Sequence, residues 1–294
     1  MSPSPESQTG RYRLLERLQP DSDTWLGEDL EDPVLQVVIK ILPETADVIA
    51  ARHLVESLAD IAATGLNVPV DEGELPDGRP FLVFRLAPGD SLRELLNAGG
   101  PIPLAVAGSV IRQISASLAA LHSRNIVYGI LSPEHVIVQH FRGRHLAVLL
   151  NVGIYRSVAR SSASPGYLAP EQLAGAAATG SDIFSLGVLA AEMLTGRRPF
   201  RYGSLEELSR QQRIGIPRGS LRKLRPKIPM RVEEEIRKAT SWDTAHRSSD
   251  IEVFGSRIAE ALGDNGGFPK RRLFLAALIG AALAAVGLRR CQRR

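Results

Sequence analysis

Apolar and polar positions alternate in the first part of the chain, which predicts β-strands. Three short segments with this pattern lie within residues 11–42, and the polar turn "QPDSD" separates the first two. A further apolar strand, "RPFLVFRLAP", covers residues 79–88. Between them, residues 48–64 have the spacing of an amphipathic helix. The first third of the chain is therefore predicted to be rich in strands.

From Ser91 onward, the apolar positions repeat with a helical period. Ser181 or Asp182 is a suitable N-cap for the second of the two longest helices. The predicted helices are 103–123, 181–195, and runs near 205–213, 231–240 and 248–262. A strand-rich part followed by a helical part predicts two lobes, which join near Leu86–Ser91.

A second kind of apolar pattern occurs near the C-terminus. Residues 273–288, "LFLAALIGAALAAVGL", contain no polar side chain and are closely flanked by basic residues. At 1.5 Å per residue, a helix of this length is about 24 Å long, somewhat less than a hydrocarbon core of roughly 30 Å. Snorkelling arginines would compensate for the difference, so a transmembrane helix is predicted. The alternative is a buried C-terminal helix of the folded domain.

The predicted topology is a single-pass C-terminal membrane anchor with the folded domain in the cytoplasm. The polar N-terminus, residues 1–10, has no apolar h-region and does not predict a signal peptide. The linker is residues 264–272 and the basic tail is residues 289–294. The small residues Ala277, Ala281 and Ala285 are spaced as in paired transmembrane helices, so a homodimer is one alternative.

The charge of the chain is unevenly distributed. The formal net charge is +4, but residues 270–294 contain seven basic side chains and no acidic one, so the remaining 269 residues carry about −3. A mildly acidic folded part predicts no nucleic-acid partner. The single cysteine, Cys291, excludes an intrachain disulfide and is consistent with a reducing compartment.

Six segments, in order, resemble the motifs of protein kinases. "VVIKIL" resembles the V-A-I-K strand, "YGILSPEH" the H-R-D-L-K-P-E-N catalytic loop, and "NVG" the D-F-G motif. "SPGYLAPEQL" is similar to the A-P-E region, "SDIFSLGVLAAEMLTGRRPF" to the large helix that follows, and "TSWDTAHRSSDIEVF" to the closing segment with its arginine. The chain is most similar to bacterial membrane-tethered serine/threonine kinases. The resemblance covers roughly residues 11–262.

The resemblance implies an α+β fold with two lobes. The small β-rich N-lobe would comprise residues 11–86, and the larger helical C-lobe residues 87–263. Three structural positions of the family are retained. Glu171 and Arg247 match the family's buried ion pair, and Asp182 matches the aspartate that anchors the catalytic loop. Tyr128 and Val152 keep bulky side chains where the family stacks a hydrophobic column.

The catalytic positions of the family are altered. Ile130 replaces the aspartate that accepts the substrate's proton, and a hydrocarbon side chain accepts none. Gly129 replaces the arginine that would clasp a phosphorylated loop, and Ser132 replaces a phosphate-contacting lysine. His135 and Asn151 replace the two metal ligands, so Mg²⁺ binding is not expected. An alternative metal pair, His135 with Glu134, competes with the simpler interpretation of an ordinary loop histidine.

The nucleotide-binding positions are mixed. The glycine-rich loop is replaced by "LQPDSDTW", in which Asp21 and Asp23 would repel phosphates and Pro20 lacks an N–H donor. Lys40 matches the phosphate-binding lysine, and the resemblance implies an ion pair with Glu56. This ion pair would either help to bind ATP or only stabilise the fold.

The leading hypothesis is a pseudokinase, a membrane-tethered scaffold or allosteric module with no catalytic residues and no cofactor. Its partner would be an active kinase or a client protein. The alternatives are an atypical serine/threonine kinase and a metal-independent nucleotide sensor that binds ATP through Lys40. Phosphorylation of the serine-rich segment is a further hypothesis, against the simpler interpretation of a polar loop. Its serines are Ser157, Ser161, Ser162 and Ser164.

Overall fold

In the computed structural model, the chain forms two compact units that are divided between Pro88 and Gly89. The first unit also includes residues 151–154, and the second unit contains the rest of the described chain. The described residues are 8–18, 23–46, 48–61, 65–141, 143–154 and 164–264. The predicted transmembrane helix at residues 273–288, together with its linker and basic tail, lies outside them.

The described part of the first unit contains a six-stranded antiparallel sheet with the strand order β1-β2-β3-β4-β6-β5. Val37, Ile39 and Ile41 are buried on one face, as the alternating sequence predicts. Tyr12, Trp25 and other apolar residues from neighbouring strands join them in one cluster. The strands are β1 (Gln8–Thr9), β2 (Tyr12–Arg17), β3 (Thr24–Asp29), β4 (Gln36–Ile41), β5 (Pro69–Glu74) and β6 (Pro80–Arg85).

Helix α1 (Val48–Ala59) packs against β5 in this unit. Its residues Leu54 and Leu58 lie so close to Gly153 that a Cβ atom there would approach their methyl groups to 2.5 and 2.9 Å. Gly153 also has a φ of +85°, which only glycine adopts readily. A glycine at this position therefore satisfies both the backbone conformation and the packing of the helix.

The second unit begins with a small antiparallel sheet in the order β7-β8-β9. Strands β8 and β9 form a hairpin in which His140 pairs with His145. The strands are β7 (Asp90–Ser91), β8 (Val136–Phe141) and β9 (Arg144–Leu149). The sequence pattern did not predict β5 or β7, because these strands are short or rich in polar residues.

Helices form the rest of the second unit. The longest, α3 (Leu104–His122), packs against α9 (Ile251–Ala261), and in α5 (Thr179–Thr195) every residue from Ser181 onward is buried. Gly187 in α5 allows α8 to approach, since a Cβ there would lie 2.9 Å from the Cβ of Ala239. The helices are α2 (Leu92–Gly99), α3 (Leu104–His122), α4 (Pro170–Leu173), α5 (Thr179–Thr195), α6 (Leu205–Ile214), α7 (Ser220–Leu224), α8 (Met230–Ala239) and α9 (Ile251–Ala261).

The start of α5 differs from the prediction. The helix begins at Thr179, so neither Ser181 nor Asp182 is its N-cap. Ser181 Oγ instead accepts a hydrogen bond from Ala178 N at 3.1 Å from within the first turn. The Asp182 carboxylate is directed away from its own helix, toward the loop described below.

Among the described helices, only α3 is long and apolar enough to span a membrane. Half of its most apolar window is buried within the unit. The span that the sequence predicts, residues 273–288, lies outside the described residues and remains a prediction.

Candidate functional site

The carboxylate of Asp182 holds the backbone of the loop from Asn125 to His135. Asp182 Oδ2 accepts a hydrogen bond from Tyr128 N at 2.9 Å, and Oδ1 accepts one from Gly129 N at 2.8 Å. His122 Nε2 lies 2.8 Å from Asp182 Oδ2. Asp182 is fully buried, so these donors replace the water that its carboxylate would otherwise need. The loop backbone is thereby held in one conformation.

Two features of the loop backbone explain its shape. Gly129 has a φ of +74°, which permits the turn that brings consecutive N–H groups toward Asp182. Gln172 Nε2 donates to Gly129 O at 2.8 Å from helix α4. Tyr128, which is also buried, donates from its hydroxyl group to Leu150 O at 2.6 Å. Burial, with Asp182 nearby, raises the pKa of Tyr128 well above its ordinary value.

The middle of the loop has no exposed acid or base. Ile130 is 2% exposed, and Ser132 is equally buried. His135 Nδ1 lies 2.7 Å from the carbonyl oxygen of Ile130, to which it donates a hydrogen bond. This bond uses one ring nitrogen of His135 to close the loop on itself.

Glu134 is paired within the second unit. Its Oε1 lies 2.8 Å from Arg93 Nε in helix α2. Burial would raise the pKa of Glu134, but hydrogen bonds from Arg93 and from the loop, together with the charge of Arg93, hold the pKa below its ordinary value. The carboxylate is therefore a weak base.

Arg93 joins Glu134 to two further side chains that the sequence pattern did not single out. Its Nη1 lies 2.9 Å from Glu192 Oε1, and its Nη2 donates to the Tyr167 hydroxyl oxygen at 2.6 Å. The Tyr167 hydroxyl donates in turn to Glu192 Oε2. Burial, reinforced by Glu192, raises the pKa of Tyr167 above its ordinary range. These four side chains thus form one hydrogen-bonded cluster around Arg93.

Glu171 and Arg247 form a two-point ion pair in the same unit. Arg247 Nη1 lies 2.7 Å from Glu171 Oε1, and Nη2 lies 2.9 Å from Oε2. Ser181 Oγ also donates to Glu171 Oε1 at 2.7 Å. Burial would raise the pKa of Glu171, but these donors hold it below its usual value. The pair connects α4 with the segment after α8.

Lys40 and Glu56 are not brought together in the first unit. Lys40 is 8% exposed, and no carboxylate of the described residues lies within ion-pair distance of it. Burial lowers the pKa of Lys40 to about 8. Glu56 has a side chain that is 65% exposed and lies 3.5 Å from His53 Nδ1. The ion pair implied by the resemblance is therefore absent from the described structure.

Asn151 begins the segment that closes the first unit. Its φ is +57°, an uncommon value that asparagine tolerates better than most residues. Val152, which follows it, is fully buried. The side chain of Asn151 offers one neutral amide oxygen in place of a carboxylate. Within the described residues, no group of three or more His, Cys, Asp or Glu side chains is arranged to hold a metal ion.

Only part of the segment predicted to replace a glycine-rich loop is described. Asp23 Oδ1 lies 2.6 Å from Arg17 Nη2, and Asp23 Oδ2 lies 3.6 Å from Arg79 Nη1. Pro20 and Asp21 lie outside the described residues. In the serine-rich segment, Ser164 precedes a 3₁₀ turn at Pro165–Tyr167, and the other three serines also lie outside the described part.

The protein kinase domain model matches residues 72–255, which is more than half of the chain. The chain belongs to the protein kinase family. Its fold is the kinase fold, with a β-rich N-lobe and a helical C-lobe. A crystal structure of Rad53 1–466 in complex with AMP-PNP has a similar fold, with a TM-score of 0.71 at 18% identity, and covers 85% of this chain and 65% of that one.

Bacterial serine/threonine kinases are among the relatives of this kinase-family chain. It is 33% identical to PknL of Mycobacterium tuberculosis over 214 residues, 69% of this chain and 52% of the relative. It is 28% identical to PrkC of Bacillus subtilis, over 86% of this chain and 41% of that protein. A probable PknB of Lactococcus lactis is also 28% identical, over 85% of this chain and 42% of that one. The chain thus spans about half the length of these relatives.

The kinase-family motifs predicted part of this site. They pointed to Asp182, Glu171 and Arg247, which the structure places in hydrogen-bonded contact with their partners. They did not point to Arg93 or Glu192, since a single arginine or glutamate in a helix usually lies in solvent. A weak signal existed for Glu192, because it is the only charged residue between Ile183 and Thr195 in an otherwise apolar helix.

Proposed function

We propose that this kinase-family chain is a pseudokinase that serves as a membrane-tethered scaffold or allosteric module. The observation that carries the proposal is Ile130, a buried hydrocarbon side chain at the position of the family's catalytic aspartate. Phosphoryl transfer needs a group there that orients the attacking hydroxyl and receives its proton. Isoleucine provides neither function.

The nearest acid in sequence does not replace the missing base. Glu134 forms an ion pair with Arg93 and has a lowered pKa, so it would release an accepted proton too readily. Moving Glu134 toward a substrate would break this pair and leave the Arg93–Glu192–Tyr167 cluster incomplete. An atypical kinase that uses Glu134 is therefore disfavoured.

The residues present do not fit Mg²⁺ in the way the family holds it. Mg²⁺ prefers oxygen ligands and is usually bound by one or two carboxylates. Asn151 supplies a neutral amide, and His135 is an imidazole whose Nδ1 faces the Ile130 carbonyl oxygen. With the family's metal-binding carboxylate replaced by a neutral amide, we expect no metal-dependent nucleotide binding.

The family contacts that this chain retains are structural ones, which supports a folded scaffold. Asp182 accepts hydrogen bonds from two loop N–H groups, and Glu171 and Arg247 form a two-point ion pair. These contacts stabilise the fold and take no part in proton transfer. A folded lobe without a catalytic base can still present a surface to an active kinase or a client. The apolar run at residues 273–288 would hold that surface at the membrane, with the folded domain cytoplasmic.

A nucleotide sensor is the second candidate, and Lys40 favours it. A buried ammonium group without a carboxylate partner is costly and would be stabilised by a bound phosphate. Binding of a phosphate by Lys40 requires neither a metal ion nor a catalytic base, so it is compatible with the altered loop.

A thermal-shift titration of the full chain with ATP separates these functions, with Lys40→Met as the matched control. The scaffold predicts no shift in Tm with ATP, whether or not Mg²⁺ is present. A shift without metal that disappears in Lys40→Met would indicate the sensor. A shift that requires Mg²⁺ would contradict the proposed pseudokinase and favour an active enzyme.

A further inference from the structure

A strongly basic segment lies in the second unit, although the folded part of the chain is mildly acidic overall. Residues 213–231, "RIGIPRGSLRKLRPKIPMR", contain seven arginines and lysines and no acidic residue. The net charge of the whole folded part does not reveal this local excess of positive charge. The segment runs from the end of α6 through α7 to the first two residues of α8.

The segment is folded onto α8 by internal contacts. Leu221 is buried, and its N–H donates to Glu233 Oε1 at 2.9 Å. Arg237 Nε donates to Ile216 O at 2.7 Å. Glu233 is itself buried, so its negative charge satisfies the backbone and does not reach the surface. The segment is therefore an ordered part of the protein surface.

Most of its cations face solvent without an acidic partner. Arg225 is an exception, because its Nη1 donates inward to the carbonyl oxygens of Ile102 and Leu194 at 2.8 and 3.0 Å. Arg213 is exposed and lies over the Trp242 ring, 4.3 Å from its centroid. The others are exposed and form no ion pair with any carboxylate of the described residues: Arg218, Arg222, Lys223, Lys227 and Arg231.

Large apolar side chains are exposed between these cations. Ile214 is 74% exposed, Met230 is 60% exposed and Leu224 is 48% exposed. Exposed aliphatic side chains interleaved with unpaired cations are typical of surfaces that lie on anionic membranes. The segment contains no aromatic residue, which disfavours single-stranded nucleic acid, since that ligand is bound by stacking on aromatic rings.

We propose that residues 213–231, here called the basic surface, bind the anionic headgroups of a phospholipid membrane. The six exposed cations contact the headgroups, and Ile214, Leu224 and Met230 enter the boundary with the acyl chains. The basic surface orients the kinase-like C-lobe on the membrane. This role is independent of the predicted C-terminal anchor, which would supply a second membrane contact.

A site-specific probe tests the proposal in the full chain. Cys291→Ser removes the native thiol, and Leu224→Cys carries an environment-sensitive fluorophore. The labelled chain is reconstituted into vesicles of phosphatidylcholine alone or with about 30% phosphatidylglycerol, a content high enough for a negative surface potential. We expect a blue shift of the fluorescence only in the anionic vesicles. About 0.5 M salt should reverse this shift, because salt screens the attraction between the cations and the headgroups. The same label on Val34→Cys, an exposed site in the first unit, should not shift.

Charge reversal provides the second arm. In the triple variant Arg222→Glu, Lys223→Glu, Lys227→Glu, the shift should disappear, because each cation near an anionic surface contributes about fivefold to binding. The control Arg85→Glu, Arg124→Glu, Arg144→Glu changes the net charge equally at exposed positions elsewhere and should keep the shift. Circular dichroism of both triple variants checks folding. If the charge-reversed variant of the basic surface does not fold, the neutral variant Arg222→Gln, Lys223→Gln, Lys227→Gln takes its place.

Three outcomes would overturn the proposal. One is an equal shift in neutral and anionic vesicles, and another is a shift that survives charge reversal of the basic surface. The third is a shift with RNA or polyglutamate but not with phosphatidylglycerol, which would assign the surface to a different polyanion. Flotation of the chain with neutral vesicles reports separately on the C-terminal anchor, so failure of the anchor and failure of the basic surface are distinguishable.

Discussion

The Glu134 carboxylate lies 2.8 Å from Arg93 Nε, and Arg93 lies 2.9 Å from Glu192 through its Nη1. Arg93 therefore connects the loop at the family's catalytic position with the buried helix α5. In the loop that contains Ile130, this acid forms an ion pair within the C-lobe. The same contact that makes Glu134 a poor base makes it useful for stability.

Arg93→Gln should destabilise the protein by about 2–3 kcal/mol, because it leaves Glu192 nearly buried without its cation. The free energy of unfolding in urea measures this change. Arg85→Gln, at an exposed position in the first unit, is the control and should change stability by less than about 0.5 kcal/mol. An unchanged stability in Arg93→Gln would show that the cluster contributes nothing.

Arg247→Met and Glu171→Gln should each lower the free energy of unfolding by about 3 kcal/mol, since each leaves a largely buried charged side chain without its partner. A double-mutant cycle should give a coupling energy of about 2 kcal/mol. Because the folded pKa of Glu171 is lowered, the pair stabilises the protein above the ordinary value of 4.5 and loses this contribution as pH falls through the folded pKa. Additive losses at pH 7 would contradict a direct interaction.

Asp182→Ala should cost about 3 kcal/mol or more, because the N–H groups of Tyr128 and Gly129 lose their acceptor while buried. Asp243→Ala is a suitable control, since Asp243 also accepts a backbone N–H, but at an exposed site. Hydrogen exchange at Tyr128 and Gly129 should accelerate in Asp182→Ala alone. Equal protection in both variants would mean that Asp182 does not anchor the loop.

Lys40→Met should stabilise the protein at pH 7, because the wild type buries an ammonium group without an acidic partner. The folded pKa of about 8 lies below the ordinary 10.5, so the unfolded state holds more protons between these values. Stability of the wild type should therefore rise with pH in that window. We expect the free energy of unfolding of Lys40→Met to exceed that of the wild type by about 1–3 kcal/mol at pH 7, and we expect this difference to shrink toward pH 10.

Urea unfolding of both proteins at the two pH values measures the Lys40 effect, and Lys238→Met, at an exposed lysine, is the control. A wild type whose stability does not rise relative to Lys40→Met between these pH values would mean that the ammonium group has a partner or reaches water.

Periodicity predicted the long elements of this fold well. Strands β2, β3, β4 and β6 and helices α3, α6, α8 and α9 lie close to their predicted positions, because each has a clear buried face. Strands β5 and β7 were missed, since strands that are short or rich in polar residues such as Asp71 and Glu72 carry little periodic signal. The predicted start of α5, residue 181, lies two residues after the observed start at Thr179.

Motif spacing located the residues that hold the site, but not their partners. Asp182 could be assigned from its place in the motif. Arg93, however, comes from a helix 41 residues before Glu134, and only tertiary packing brings them together. The absent Lys40–Glu56 contact has a similar cause, since a motif gives residue types and does not fix where an exposed helix side chain points.

Transfer of radiolabelled phosphate from ATP by the purified full chain tests the central claim most directly. The assay uses a generic protein substrate with Mg²⁺ or Mn²⁺, and Lys40→Met serves as the matched control. We expect the wild type to transfer no more label than Lys40→Met. Transfer by the wild type that vanishes in Lys40→Met would contradict the loss of catalysis and show that a side chain other than one at position 130 receives the proton.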